Sequence, residues 1–264
     1  MNNSSNIDNP WKHIDFNVEK NRIIAEEDKD CIENLLKTDK YGKLEEKYKL
    51  KLDVYPQHFV GDIENARILI LSLNPGYNKN YKKTYDKNID YQEEIKNNLQ
   101  LTSRRFYAFD FPTEKELGYW SNKLKHWVIQ EKKRKEPNNN EDITISLAKL
   151  ANNIALAEFF PYHSSSYNAL FDKINNNCYL PTQKFLFDKI KYRINKNDGL
   201  TIIIARSFRR WYEAIPELKD YERCYEVSNP SNPSFKPEYI FKVYRTPVQK
   251  KVEDLLIEIH SNKK

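Results

Sequence analysis

The chain has 264 residues, 39% of them hydrophobic and 31% charged, with a mean hydropathy of −0.85; that supports one large domain or two small ones under a heavily solvated surface. Lys and Arg outnumber Asp and Glu by 44 to 38, a formal charge of +6 with a pI of about 8.9, which suits a polyanion such as nucleic acid, although Lys and Asn abound along the whole chain. The three cysteines, Cys31, Cys178 and Cys224, show no zinc or iron–sulfur spacing, and no apolar run approaches the ~20 residues of a membrane helix.

Sparse, odd-numbered cysteines fit reduced thiols, and the start "MNNSSNIDNPW" lacks the basic and apolar stretches of a signal peptide. A soluble, cytoplasmic protein is expected, needing no metal or other cofactor. Aromatic residues make up 13% of the chain, with 18 Tyr and 13 Phe. Most should fill the core; others are free to stack on a flat ligand such as a base.

In chain order, the polar, Asn-rich residues 1–15 predict a disordered N-terminus, and 16–264 a single domain. Residues 16–50 carry charge and apolar residues at helical spacing ("IIAEEDKDCIENLL"), which predicts a helical extension on the surface. "YPQHFVGDIENA" reads as a loop into the strand "RILILSL". Residues 78–112 are polar and Tyr-rich. A helix is predicted over 114–133, a loop at "KRKEPNNNED" and a short helix at "EDITISLAKLA". A second apolar run, "NIALAEFFP", precedes a helix over 181–194 that opens on Pro181. "TIIIA" is the third strand, "RSFRRWYEAI" restarts a helix, "ERCYEVS" is a fourth, half-buried strand, and 248–260 is a closing helix.

Strands alternate with helices, and three strands are apolar throughout. That pattern predicts a central, mainly parallel four-stranded sheet with helices on both faces, a three-layer α/β sandwich. Such sheets bind ligands at the carboxyl ends of their strands. Attention therefore falls on Asn74-Pro75-Gly76, on Glu158 to His163, on Arg206-Ser207 and on Asn229-Pro230-Ser231.

The first of these stretches, Ser72-Leu73-Asn74-Pro75-Gly76, and the last, Asn229-Pro230-Ser231 followed by Asn232-Pro233-Ser234, together resemble the paired motifs of the uracil-DNA glycosylase superfamily. Its members carry Gly-x-Asn-Pro-Gly after the first strand and His/Asn-Pro-Ser after the last. The form here is most similar to the mismatch-specific and single-strand-selective branches, over roughly residues 55–245. The resemblance implies base flipping from double- or single-stranded DNA and hydrolysis of the N-glycosidic bond by a monomer without a metal. It implies that Asn74 positions the attacking water, that Asn229 faces the base or sugar as a second catalytic residue, and that backbone groups at Gly76 meet the base or water. It further implies that Ser231, with Ser234, grips a flanking phosphate and that Pro233 or Phe235 forms an apolar wedge.

Elsewhere the chain departs from that pattern. Ser72 replaces the first glycine. Glu158 stands where uracil-specific relatives have an Asn that reads the base edge. An ionised carboxylate only accepts hydrogen bonds, so it repels a carbonyl and welcomes an exocyclic amine; a structural ion pair is the alternative. His163 is a candidate donor to a phosphate or leaving base, and Tyr162 a candidate for stacking. Among the residues after Asn74, Tyr85 lies nearest the usual stacking position, with Tyr77, Tyr81 and Tyr91 as rivals. Arg104 and Arg105 are placed to touch a nucleic-acid backbone. Arg206, Arg209 and Arg210 either collect phosphate or pair with surface acids. A catalytically silent nucleic-acid-binding protein and a hydrolase of free nucleotides remain as alternatives.

Overall fold

The computed structural model describes residues 8–17, 21–111, 119–120, 122–124, 126–127, 148–174 and 178–242. Three short apolar segments build its centre: β4 (Ile68–Ser72), β5 (Ile154–Glu158) and β6 (Thr201–Ile204), buried at every position. Apolar runs of four or five residues have no polar face to turn outward, so they require cover on both sides. β7 (Cys224–Val227) completes a parallel set in the order β5-β4-β6-β7.

The sheet is larger than the predicted four strands, and mixed. β3 (Phe59–Gly61) joins one edge antiparallel to β5, and β8 (Ile240–Lys242) joins the other antiparallel to β7, giving six strands. Each added strand is three residues long, too short to show an alternation, so "HFVG" passed for loop in the sequence. Helices flank the sheet: α3 (Lys79–Lys87) and α4 (Ile89–Leu99) follow β4, α5 (Pro181–Lys196) follows β5, and α6 (Phe208–Ala214) follows β6.

α3 and α4 occupy the polar stretch for which no element was predicted. Each opens on an asparagine cap: Asn78 Oδ1 accepts from the Tyr81 N–H at 2.8 Å, and Asn88 Oδ1 from the Tyr91 N–H at 3.0 Å. Their apolar faces are made of Tyr81, Tyr85, Tyr91, Ile95 and Leu99.

The N-terminal region also differs from its expectation. Pro10–Lys12 form a 3-10 turn capped by Asn9, Trp11 is fully buried, and Asn9 Nδ2 donates to the Leu99 carbonyl at 2.8 Å. Of the segment predicted to be disordered, residues 8–15 are thus ordered, and 1–7 lie outside the described residues. Residues 16–17 and 21–25 are not helical: β1 (Ile14–Asn17) pairs antiparallel with β2 (Arg22–Ala25), and α1 (Lys29–Leu36) and α2 (Asp39–Gly42) come only afterwards. Asp28 ties this region to the body. Its carboxylate accepts from Thr182 N–H and Oγ1 at the start of α5, and from the Tyr162 hydroxyl.

Of the helix predicted over 114–133, residues 119–120, 122–124 and 126–127 are described and helical; of the next, 148–151 are. The remaining parts of both, the "KRKEPNNNED" loop and the closing helix lie outside the described residues. No described helix is long and apolar enough to cross a membrane.

Candidate functional site

β4 connects to β5 on one side of the sheet, whereas β6 connects to β7 on the other. The switch point therefore lies between the carboxyl ends of β4 and β6, where a crevice opens between diverging connections. Backbone bonds hold the departing chains together there: Phe160 N–H donates to Leu73 O at 2.9 Å, and Ala205 N–H to Leu71 O at 2.7 Å. The Trp211 indole of α6 donates to Ser72 O at 2.7 Å.

The loops after β4 and β5 then run side by side, with a parallel bridge between Gly76 and Ser164. His163 Nδ1 bonds the Gly76 carbonyl at 2.9 Å. Asn74 Nδ2 donates to Ser164 Oγ at 3.0 Å and to Pro75 O at 3.2 Å, while Ser164 Oγ donates onward to Ser166 O. With Nδ2 engaged, Oδ1 is the end of the Asn74 amide left for a ligand or water.

A cleft of about 770 Å³ opens over this floor, a size suited to a nucleoside-sized ligand. Asn74, Gly76, Tyr77, Glu158 and Arg206, five of the residues singled out in the sequence, all line it. Tyr81 and Tyr91, the rivals for stacking, line it as well. Gly76 holds no left-handed φ, and a Cβ there meets open space; its part in the site is the carbonyl that His163 fixes, not a strained turn.

Glu158 is the distinctive group. It pairs in register with Ser72 and is 3% exposed. Its Oε2 is buried and has no hydrogen-bond partner. Burial raises its pKa from 4.5 to about 7, opposed by the Ser72 hydroxyl, the Arg206 charge and the Leu73 N–H. Arg206 donates to the Tyr119 hydroxyl at 3.2 Å. The structural ion pair considered for Glu158 is not formed: Arg206 acts on it through its field, with no contact within salt-bridge distance among the described residues.

Several expected site residues lie elsewhere. Tyr85 is buried, and its hydroxyl accepts from the Tyr55 N–H at 3.0 Å. Tyr162 is 1% exposed and spends its hydroxyl on Asp28 and Ala25, so it cannot stack on a base. His163 is fully buried behind Gly76, packed on Tyr81 with ring centroids 5.1 Å apart. Burial lowers its pKa to about 4 despite the Gly76 bond, so it is a neutral brace, not a phosphate donor.

None of Asn229, Ser231, Pro233, Ser234 and Phe235 lines the cleft. Asn229 Oδ1 accepts from the backbone N–H groups of Ser231 and Asn232, an Asx turn closed on itself, which removes it from the catalytic set. Pro233 is buried, and Phe235 is 1% exposed between Trp120 and Trp127; neither can act as a wedge. Ser231 remains exposed, Ser234 partly so. The loop stands behind the wall that Trp120 presents to the cleft.

The other arginines are committed to acids. Arg104 pairs with Glu64, Arg105 with Asp110, Arg209 with Glu213 and Arg210 with Asp172. Sequence reasoning missed Gln57, Tyr119, Trp120, Ser164 and Tyr167, which also line the cleft. The "SSSY" run after β5 carried a signal, since residues just past a strand's carboxyl end were already of interest; Gln57 and Trp120 carried none. Gln57 is set by bonds from Nε2 to the Tyr91 and Tyr107 hydroxyls at 2.7 and 3.1 Å. Among the described residues no group of three or more His, Cys, Asp or Glu is placed to hold a metal.

No protein-family model, curated protein or solved structure matches the chain.

Proposed function

We propose that this protein hydrolyses the N-glycosidic bond of a nucleotide whose base it holds in the cleft, with DNA as the carrier of that nucleotide, in the manner of a DNA glycosylase. The observation that carries this reading is that Asn74 and the buried acid Glu158 line one aromatic-walled cleft at the sheet's switch point.

The chemistry asks little of strong bases. As the bond to the base lengthens, the sugar becomes an oxocarbenium-like cation, and orientation with electrostatics supplies most of the catalysis. Asn74 Oδ1 accepts a hydrogen bond from water and holds it for attack on the sugar carbon. The base lies against the partly exposed rings of Tyr77 and Trp120 with an edge toward Glu158, each stacked face contributing roughly 1–3 kcal/mol. Arg206 offers positive charge to the departing base or an adjacent phosphate. Flipping the nucleotide costs a few kcal/mol, least from mismatched or single-stranded DNA.

A second reading, hydrolysis of free nucleosides or nucleotides, is favoured by the position of the 229–235 loop, which leaves the cleft without the expected phosphate grip. One experiment separates the two. Oligonucleotides bearing uracil, hypoxanthine or xanthine are incubated with the protein and treated with alkali, and the matching nucleosides are followed by chromatography. The DNA reading expects alkali-labile sites that fall about a hundredfold in Asn74→Ala, and tenfold weaker DNA binding in the exposed-loop variant Ser231→Ala. Release from nucleosides alone, indifferent to Ser231→Ala, selects the second reading. No release from any substrate overturns both.

A further inference from the structure

Glu158 is the only acidic residue among the described residues that line the cleft, and its environment is lopsided. The Ser72 hydroxyl and the Leu73 N–H lower its pKa against burial, and the buried Oε2 has no hydrogen-bond partner. When the group carries a proton, the carboxyl lining the cleft is a donor. When it does not, the same carboxyl is a bare acceptor. A buried polar atom left without a partner costs about 1–3 kcal/mol, so a ligand that completes it recovers that cost.

We infer that Glu158 selects the base by its exocyclic group, a protonated Glu158 donating to a keto oxygen and an ionised Glu158 accepting from an amine. Keto and amino bases thus enter the same cleft with opposite proton linkage. The inference rests on the reading that a base occupies the cleft, and it adds which base classes enter and under what protonation.

The groups facing Glu158 support an evenly poised switch. From the end of β4 come Ser72 and Leu73, uncharged donors. From the end of β6 comes Arg206, the one cation among the described lining residues, which favours the ionised form. Ahead of β3 is His58, whose carbonyl accepts from the Glu158 N–H at 2.8 Å. Its imidazole is fully buried and neutral, its pKa lowered to about 3 by desolvation. Tyr77, Tyr81, Tyr91, Tyr119 and Tyr167 are the other titratable side chains among the described lining residues, and burial raises the pKa of Tyr77, Tyr81, Tyr91 and Tyr167. Burial, opposed by the Arg206 charge, raises the Glu158 pKa to about 7, and a ligand that prefers one protonation state shifts the balance.

The test uses the full-length protein and two carbocyclic nucleoside analogues that cannot be hydrolysed, one of deoxyuridine and one of deoxycytidine. They differ in the exocyclic group and lack a phosphate that would titrate. Affinity is measured by calorimetry at pH 6 and pH 8 in two buffers of different ionisation enthalpy. The deoxyuridine analogue is expected to bind about tenfold more weakly at pH 8 and to take up protons on binding. The deoxycytidine analogue is expected to bind about tenfold more tightly at pH 8 and to release them. Glu158→Gln should erase both slopes while the protein stays folded by circular dichroism. Binding of both analogues with the same slope, with no slope, or with the slopes exchanged overturns the inference and leaves the base site standing. Failure of both to bind at either pH overturns the base site as well.

Discussion

At the scale of single residues, burial decides what each side chain can do. Glu158 and Asp28 are both withdrawn from water, and desolvation raises both pKa values, Glu158 to about 7 and Asp28 to about 6. Asp28 spends both oxygens on neighbours; Glu158 keeps one free. That difference, more than the pKa itself, separates a structural acid from a candidate reader of ligands. A carboxyl whose folded pKa is raised contributes stability that is full below its unfolded value of about 4.5 and is lost as pH rises through about 7. Replacing Glu158 by Gln removes this loss. Glu158→Gln should therefore be more stable than the parent by up to about 3 kcal/mol at pH 8, and within about 1 kcal/mol of it at pH 5. Urea unfolding at the two pH values checks this; equal stabilities at pH 8 would mean that the ionised carboxylate is solvated or paired.

At the scale of elements, the site depends on how closely neighbouring chains approach at the sheet. Gly61 in edge strand β3 has φ +94°, and a Cβ built there meets the Ile154 carbonyl oxygen at 2.6 Å and Ala155 Cα at 3.2 Å. Both obstacles are backbone of β5, the strand that carries Glu158, so neither can swing aside. Gly61→Ala should cost about 2–3 kcal/mol through positive-φ strain and displacement of β5, seen as a lowered urea midpoint; a loss under 1 kcal/mol would show that the edge accommodates the methyl group. The same scale explains what the sequence disclosed. β4, β5 and β6 were legible because fully buried strands leave unbroken apolar runs, and their carboxyl ends located Asn74, Glu158 and Arg206. β3 and β8 were illegible because three residues carry no period. α3 and α4 were hidden because their buried faces are tyrosines, which count as polar in a pattern of charges and amides. The Asn-Pro-Ser turn was legible as a turn, but its order in the chain says nothing about depth. Phe235, just after the turn, packs on Trp120, and of the two only Trp120 lines the cleft with Asn74.

At the scale of the whole molecule, the N-terminal region belongs to the core. Trp11 is fully buried, with ring centroids 5.6 Å from His58 and 6.3 Å from Tyr162, and Asp28 joins α1 to α5 and to the loop behind the cleft. Trp11→Ala should cost about 3–5 kcal/mol, in a single transition that also loosens the cleft; a separate early transition with the cleft intact would show an independent N-terminal unit. The buried imidazoles act against the buried acids. His58 and His163 have pKa values lowered to about 3 and about 4 by desolvation. Their contribution to stability is present above the unfolded value of about 6.5 and is lost as pH falls through it toward 4. Acid therefore strains the brace under Gly76 while relieving Glu158.

The account turns on a base lying in the cleft between the ends of β4 and β6. A crystal structure of the protein with single-stranded DNA containing a non-hydrolysable altered nucleotide tests that most directly. The account predicts the base ring against Tyr77 and Trp120, with an exocyclic atom within hydrogen-bond distance of the Glu158 carboxyl and a water held by Asn74 Oδ1 near the sugar carbon. DNA bound on another face, with the cleft empty at saturating concentration, would contradict it.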